Sequence, residues 1–291
     1  MSSKKLLIVL IIISSLFQMT GCEREPEETP DNQSSLPTSL LRVNGSKEEI
    51  VAKLEEIDSM IEEIEKSEEK EFEEGEAQEE GAEEREVEEE GAEEREVEEE
   101  GAEEEEKKEK VNRIQELWAE LEEEVKELHQ NWNQYESEES VEQLRLARLE
   151  EELNSLTEAI AEEQLIPALL TINQFDLEIA ELYYSHNFEI EGRFKKLRAH
   201  IRKIIYQHRL VDSSKDELSE LEMNDKLLAL ISKLENDLIN GERIEQKIIE
   251  LRKAIKDLAE AVSQQRTEVI EVKAELALAR VNELEELHEG D

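Results

Sequence analysis

Few residues in this 291-residue chain have the types and spacing that chemistry requires. It contains one cysteine, Cys22, and five histidines. With no second thiol, neither an intrachain disulfide nor a cysteine-based zinc site can form. Metal centres in helical bundles use Glu-x-x-His pairs that project inward, and the sequence offers one such pair, Glu285 with His288. His200 and His208 stand two helical turns apart, too distant to share a metal without further ligands. There is no P-loop, dinucleotide fingerprint, nucleophile elbow or HExxH motif. Carboxylates are so abundant that a pair at helical spacing carries no information about acid-base catalysis. The expectation is a protein that is not an enzyme, with no catalytic residues, no metal site and no cofactor.

One stretch runs against the composition. Residues 192–211, GRFKKLRAHIRKIIYQHRLV, carry Arg193, Lys195, Lys196, Arg198, Arg202, Lys203 and Arg209 without a single acid, in a chain whose formal charge is -45. Apolar residues interleave with these cations at helical spacing, which makes an amphipathic basic helix and a candidate interaction patch. Three readings compete: contact with an anionic membrane or envelope polymer, docking of an acidic protein, or pairing with acidic helices of the same chain. The third is favoured, because glutamate density is high and ion pairs on helix surfaces are common. The overall charge repels phosphates, so nucleic acid is not an expected partner.

Cys22 acquires a role from what precedes it. Lys4 and Lys5 form a short basic start, residues 6–17 (LLIVLIIISSLF) are almost wholly apolar, and small residues follow. That is the three-part layout of an export signal. Such an apolar run rises only ~18 Å as a helix, short of a ~30 Å hydrocarbon core. Met19-Thr20-Gly21-Cys22 resembles the lipobox of bacterial lipoproteins, with Met19 where leucine is usual. The resemblance covers only the start of the chain. It implies removal of residues 1–21, attachment of a diacylglyceryl group to the Cys22 thiol, and a lipid-anchored protein outside the cytoplasm on the cell membrane or outer membrane.

The elements that must carry these residues read as helices. Charged residues make up 40% of the chain and aromatics 4%, and glutamate, the better helix former, dominates the acids, a composition that favours long solvated helices. Residues 22–45 contain three of the four prolines and read as a flexible tether. Residues 46–66 read as an amphipathic helix, started by a capping-box spacing at Ser46-Lys47-Glu48-Glu49 and continued by Ile50, Leu54, Ile57, Ile61 and Ile64. Residues 67–110 form an acidic low-complexity linker, expected to be disordered, in which GAEEREVEEE occurs twice in succession. Ten residues turn a helix by about 1000°, so Val87 and Val97 fall ~80° apart and cannot make a continuous stripe.

Helical pattern returns at Val111, and residues 111–291 read as a bundle or coiled-coil domain. Val111, Ile114, Trp118, Leu121, Val125, Leu128, Trp132 and Tyr135 alternate steps of three and four, which makes both tryptophans core anchors. A second capping box, Ser140-Val141-Glu142-Gln143, precedes Leu146, Leu149, Leu153, Leu156 and Ile160. Pro167 forces a kink or a new first turn, and the helix loosens near Asn187. Ser214 with Glu217 is spaced to cap a further helix, and Asn240-Gly241 to stop it. A last helix is expected from 242 to about 288, with Val262, Val269, Val272 and Leu276 on its seam and Gln265 as a polar layer. The fold class is therefore all-α, an elongated helical bundle or antiparallel coiled coil with an acidic linker. The function expected is that of an envelope lipoprotein acting as a scaffold, spacer or interaction stalk, with self-association through helix seams. A binding module for a peptide, lipid or envelope component is the alternative.

Overall fold

The computed structural model describes residues 35–81, 93–210, 220–238 and 242–290, and those from Leu36 onward belong to one compact unit. The described residues hold eight helices: α1 (Thr38–Gly81), α2 (Glu93–Glu138), α3 (Gln143–Ala161), α4 (Leu165–Ser185), α5 (Glu189–Arg209), α6 (Glu220–Asp237), α7 (Glu242–Ser263) and α8 (Thr267–Glu289). The all-helical expectation therefore holds. Cys22 and the centre of the acidic repeat lie outside the described residues, as do the Ser214 cap and the Asn240-Gly241 stop.

Successive helices run antiparallel, and two closed rings result. In the first ring α1 packs on α2, α2 on α3, α3 on α4, and α4 returns to α1; in the second, α5 packs on α6, α6 on α7, α7 on α8, and α8 returns to α5. The rings share the α4–α5 contact and one continuous apolar core. Ion pairs fix the directions: Lys53 reaches Glu120 at 2.6 Å and Lys110 reaches Glu63 at 3.0 Å, so α2 descends where α1 ascends. Lys247–Glu283 at 2.7 Å and Lys273–Asp257 at 3.7 Å do the same for α7 and α8.

The boundaries correct several expectations. Helix α1 begins at Thr38 rather than at Ser46, because Leu40 and Val43 extend the three-four alternation backwards and are fully buried. Ser46 is not a cap; it is buried mid-helix and accepts a hydrogen bond from Asn131 Nδ2 at 2.8 Å. The tether as drawn to residue 45 thus includes helix, and the first helix belongs to the same body as everything after it. Both flanks of the acidic linker are helical, up to Gly81 and from Glu93. Helix α3 starts with Glu142 at its cap position and no side-chain bond there, so the second capping box does not form. Val111 is exposed; the seam of α2 meets the core at the partly buried Ile114 and is fully inside it from Leu117 and Trp118.

Three turns depend on residues held in the left-handed region: Glu163 (φ 54°), Asn187 (φ 67°) and Gln265 (φ 53°). Each reverses the backbone at a helix end. Gln164 N–H donates to the Ala159 carbonyl at 2.8 Å and Phe188 N–H to the Tyr183 carbonyl at 2.9 Å, the long closing bonds of a Schellman-type stop. Pro167 sits in the first turn of α4, where its missing N–H deprives the helix of nothing. At Gln265 the expected long final helix breaks into the α7–α8 hairpin, so this residue is a turn and not a polar layer. The seam of α8 is correspondingly Ile270, Ala274, Ala277, Val281 and Leu284, while Val272 and Leu276 face outward.

Candidate functional site

The basic helix is α5, and it lies at the junction of the two rings. Its first turn approaches α4 closely: a Cβ on Gly192 would stand 2.9 Å from the Ala180 carbonyl oxygen and 3.3 Å from Tyr183 Cβ, so glycine is required there. Buried Phe194, Leu197, Ile201 and Ile204 give α5 an apolar side, and the cations leave it in several directions. Arg193 pairs with Glu189 at 2.9 Å and with Asp237 at the end of α6. Lys196 pairs with Glu181 of α4 and lies 4.4 Å from the centre of the Tyr184 ring. Arg198 grips Glu285 of α8 through two nitrogens. Arg202 reaches Glu55 of α1 at 3.5 Å. Arg209 joins three helices, bonding Asp58 and Glu62 of α1 and Glu271 of α8, the last two at 2.7 Å. Lys203 sits in the field of Glu152, whose carboxyl is nevertheless raised, first by burial.

Lys195 leads into a buried polar cluster. Its ammonium donates to Asn44 Oδ1 at 2.6 Å, stands 3.9 Å from Glu48 and lies 5.0 Å from the centre of the Tyr183 ring. Lys47 of α1 is 1% exposed and donates to Asp176 Oδ1 of α4 at 2.8 Å and to Glu48 at 2.7 Å. Asn173, one turn before Asp176, donates to the Ala199 carbonyl of α5 at 2.8 Å. Three helices therefore meet through paired charges where a core would otherwise be apolar.

Burial alone would raise the Asp176 carboxyl, but Lys47 and Lys195 together hold it below its ordinary value. Burial, followed by repulsion from Lys47, pushes the Lys195 ammonium down to about 8, against the attraction of Asp176 and Glu48. Perturbed groups of this kind mark active sites and structural networks alike. Here the hydrogen bonds run between groups of the protein itself.

The remaining candidates are separated by the fold. Glu285 is engaged by Arg198, and the His288 ring stacks 6.3 Å from that of Phe194, so the Glu-x-x-His pair is occupied by packing. Burial, then Lys203 and Lys226, push the His200 imidazole down to about 4. No group of three His, Cys, Asp or Glu residues among the described residues could hold a metal ion. An open depression of about 550 Å³ lies between the start of α7 and the end of α8, lined by Arg243, Lys247, Glu283 and Glu286, of which Lys247 and Glu283 pair at 2.7 Å. Among the described residues no helix is long and apolar enough to cross a membrane.

The Lys47–Asp176–Lys195 cluster was missed by sequence reasoning, although a signal existed. Lys47 falls in the slot between Val43 and Ile50, so the alternation of three and four passes through a lysine.

The fold and site define an all-helical double bundle clasped by internal ion pairs. Compared with known proteins, the chain matches no family model, no curated protein and no solved structure.

Proposed function

We propose that this chain is a non-enzymatic lipoprotein of the cell envelope, anchored outside the cytoplasm through Cys22, whose double bundle serves as a scaffold or spacer. The observation that carries this reading is the placement of the α5 cations: Arg193, Lys195, Lys196, Arg198, Arg202 and Arg209 all bind acids or polar groups of the same chain. The basic stretch then works as an internal clasp, and what the molecule offers its surroundings is an acidic helical surface carried on the anchor. The lipobox-like residues ahead of Cys22 support the attachment.

Two measurements test the proposal. Metabolic lipid labelling is expected to be lost in Cys22→Ser, and unchanged labelling would remove the anchor. In residues 36–291, reversal of Arg198 and Arg202 to Glu is expected to lower stability by more than the ~0–1 kcal/mol of exposed pairs. Neither protein is expected to bind anionic vesicles at low salt. Strong wild-type binding, abolished by the reversal with melting unchanged, would instead make α5 a docking surface.

A further inference from the structure

Helix α8 has two apolar faces, and its inner one is filled by Ile270, Ala274, Ala277, Val281 and Leu284. On the outer side Val269, Val272, Leu276 and Ala279 follow at steps of three, four and three, the spacing of a coiled-coil seam. Val272 is 63% exposed and Leu276 39%, Ala279 is exposed and Val269 is partly covered. Val269 packs against the core at one end, and from Val272 onward neighbours within the chain leave the seam open to a further helix.

The charges beside the seam select its occupant. With Val269 and Leu276 in the a column and Val272 and Ala279 in the d column, Glu275 falls in the g column, and Lys273 and Arg280 in the e column. In a parallel two-stranded pair, a g residue faces the e residue five positions on in the other helix, which sets Glu275 against Arg280 of a second copy twice, once on each side of the axis. An antiparallel pair would set the cationic e columns against each other. Arg280 is 30% exposed and shared between Glu283 at 2.6 Å and Glu250 at 3.6 Å, and its fork has donors to spare for one more carboxylate. Ala279 at a d position lets the backbones approach closely.

We infer that the outer face of α8 binds a second copy of this chain, parallel and in register, about a two-fold axis along the helix. The seam is short, and the pairing belongs to the weak, transient class that buries less than about 1,200 Å².

The test uses residues 36–291, a compact unit that contains the whole core and no cysteine. In parallel register each seam residue meets itself, so Val272→Cys should form a disulfide dimer under mild oxidation at least ten-fold faster than Leu144→Cys, an exposed control on α3. Leu276→Glu should abolish concentration-dependent dimerisation in sedimentation equilibrium while leaving the melting temperature unchanged. Equal cross-linking rates for the two cysteine variants would overturn the proposal. So would a mixture of Val272→Cys and Leu276→Cys chains that links 272 to 276 in preference to 272 to 272, since that is the antiparallel result.

Discussion

The two rings share an up-and-down plan but are filled differently. The first is packed with large aromatics: Trp132 stacks on Tyr135 at 5.6 Å and meets Phe175 edge-on at 6.4 Å, and Tyr135 Oη lies 2.9 Å from His186 Nε2. The second closes on small residues, with Ala254 and Ala261 of α7 and Ala274 and Ala277 of α8 buried in the hairpin. Large side chains hold helices apart and supply area to bury, whereas alanines let two backbones come close. The same topology therefore tolerates opposite errors. The first ring fails when something is taken away, and the second when something is added.

The largest expected effect is at the junction. Asp176→Ala leaves the buried Lys47 without its buried partner, with the half-exposed Glu48 alone, and should cost about 3–5 kcal/mol in urea unfolding, whereas Lys47→Met with Asp176→Leu should recover most of that loss. If the double variant is as unstable as the single one, the cluster does more than satisfy its own charges. Trp132→Ala should cost a similar ~3–5 kcal/mol through the cavity it leaves. Ala277→Leu, an addition, should cost about 1–3 kcal/mol by overpacking the hairpin, and a neutral result would show that α7 and α8 are less close than their alanines indicate.

A pH experiment sharpens the contrast between the junction and the rings. The Lys195 ammonium is held near 8 in the folded protein, while the unfolded chain keeps its proton to about 10.4. Between those values the unfolded state binds more protons, so stability rises with pH, by on the order of 2 kcal/mol from this group. Lys195→Met should flatten the rise between pH 8 and 10 in urea midpoints. Above pH 10 the effect reverses, because burial raises Tyr183 to about 12 and the unfolded chain then loses its phenolic proton first. The smallest change is a gain: Gln265→Gly should add up to ~1 kcal/mol, since a left-handed residue with a Cβ is strained at the α7–α8 turn.

Much of this architecture is legible in the sequence, for a physical reason. On α2 the alternation of Trp118, Leu121, Val125, Leu128, Trp132 and Tyr135 admits one buried face, and every one of those residues is buried. Leu149, Leu153, Leu156 and Ile160 on α3 behave likewise. The register of α8 could not be read this way, because VIEVKAELALARV is apolar on two sides and periodicity alone does not rank them. Close packing against α7 decides it in favour of the alanines. The break at Gln265 carries no glycine or proline to announce it. The candidate basic patch was legible as a helix and as a set of cations, but its partners were not, since Glu55, Glu62, Glu181, Glu271 and Glu285 are indistinguishable from their many neighbours until the fold brings them close.

The ring topology also bears on how the chain reaches its native state during synthesis. Among the described residues each helix packs on the one made just before it, the rings close through α4 on α1 and α8 on α5, and the α5 side chains add distant ion pairs to α1. Loop-closure entropy is then met late and in two instalments, the arrangement that favours rapid folding and lets one unit finish before the next is translated. The first ring can close once α4 has emerged, with Lys47 already opposite Asp176. The cations of α5 arrive afterwards and find the acids of α1 in place. Pulsed hydrogen exchange should show protection in α1–α4 preceding that in α6–α8, and simultaneous protection would mean that the clasp forms first and the rings follow.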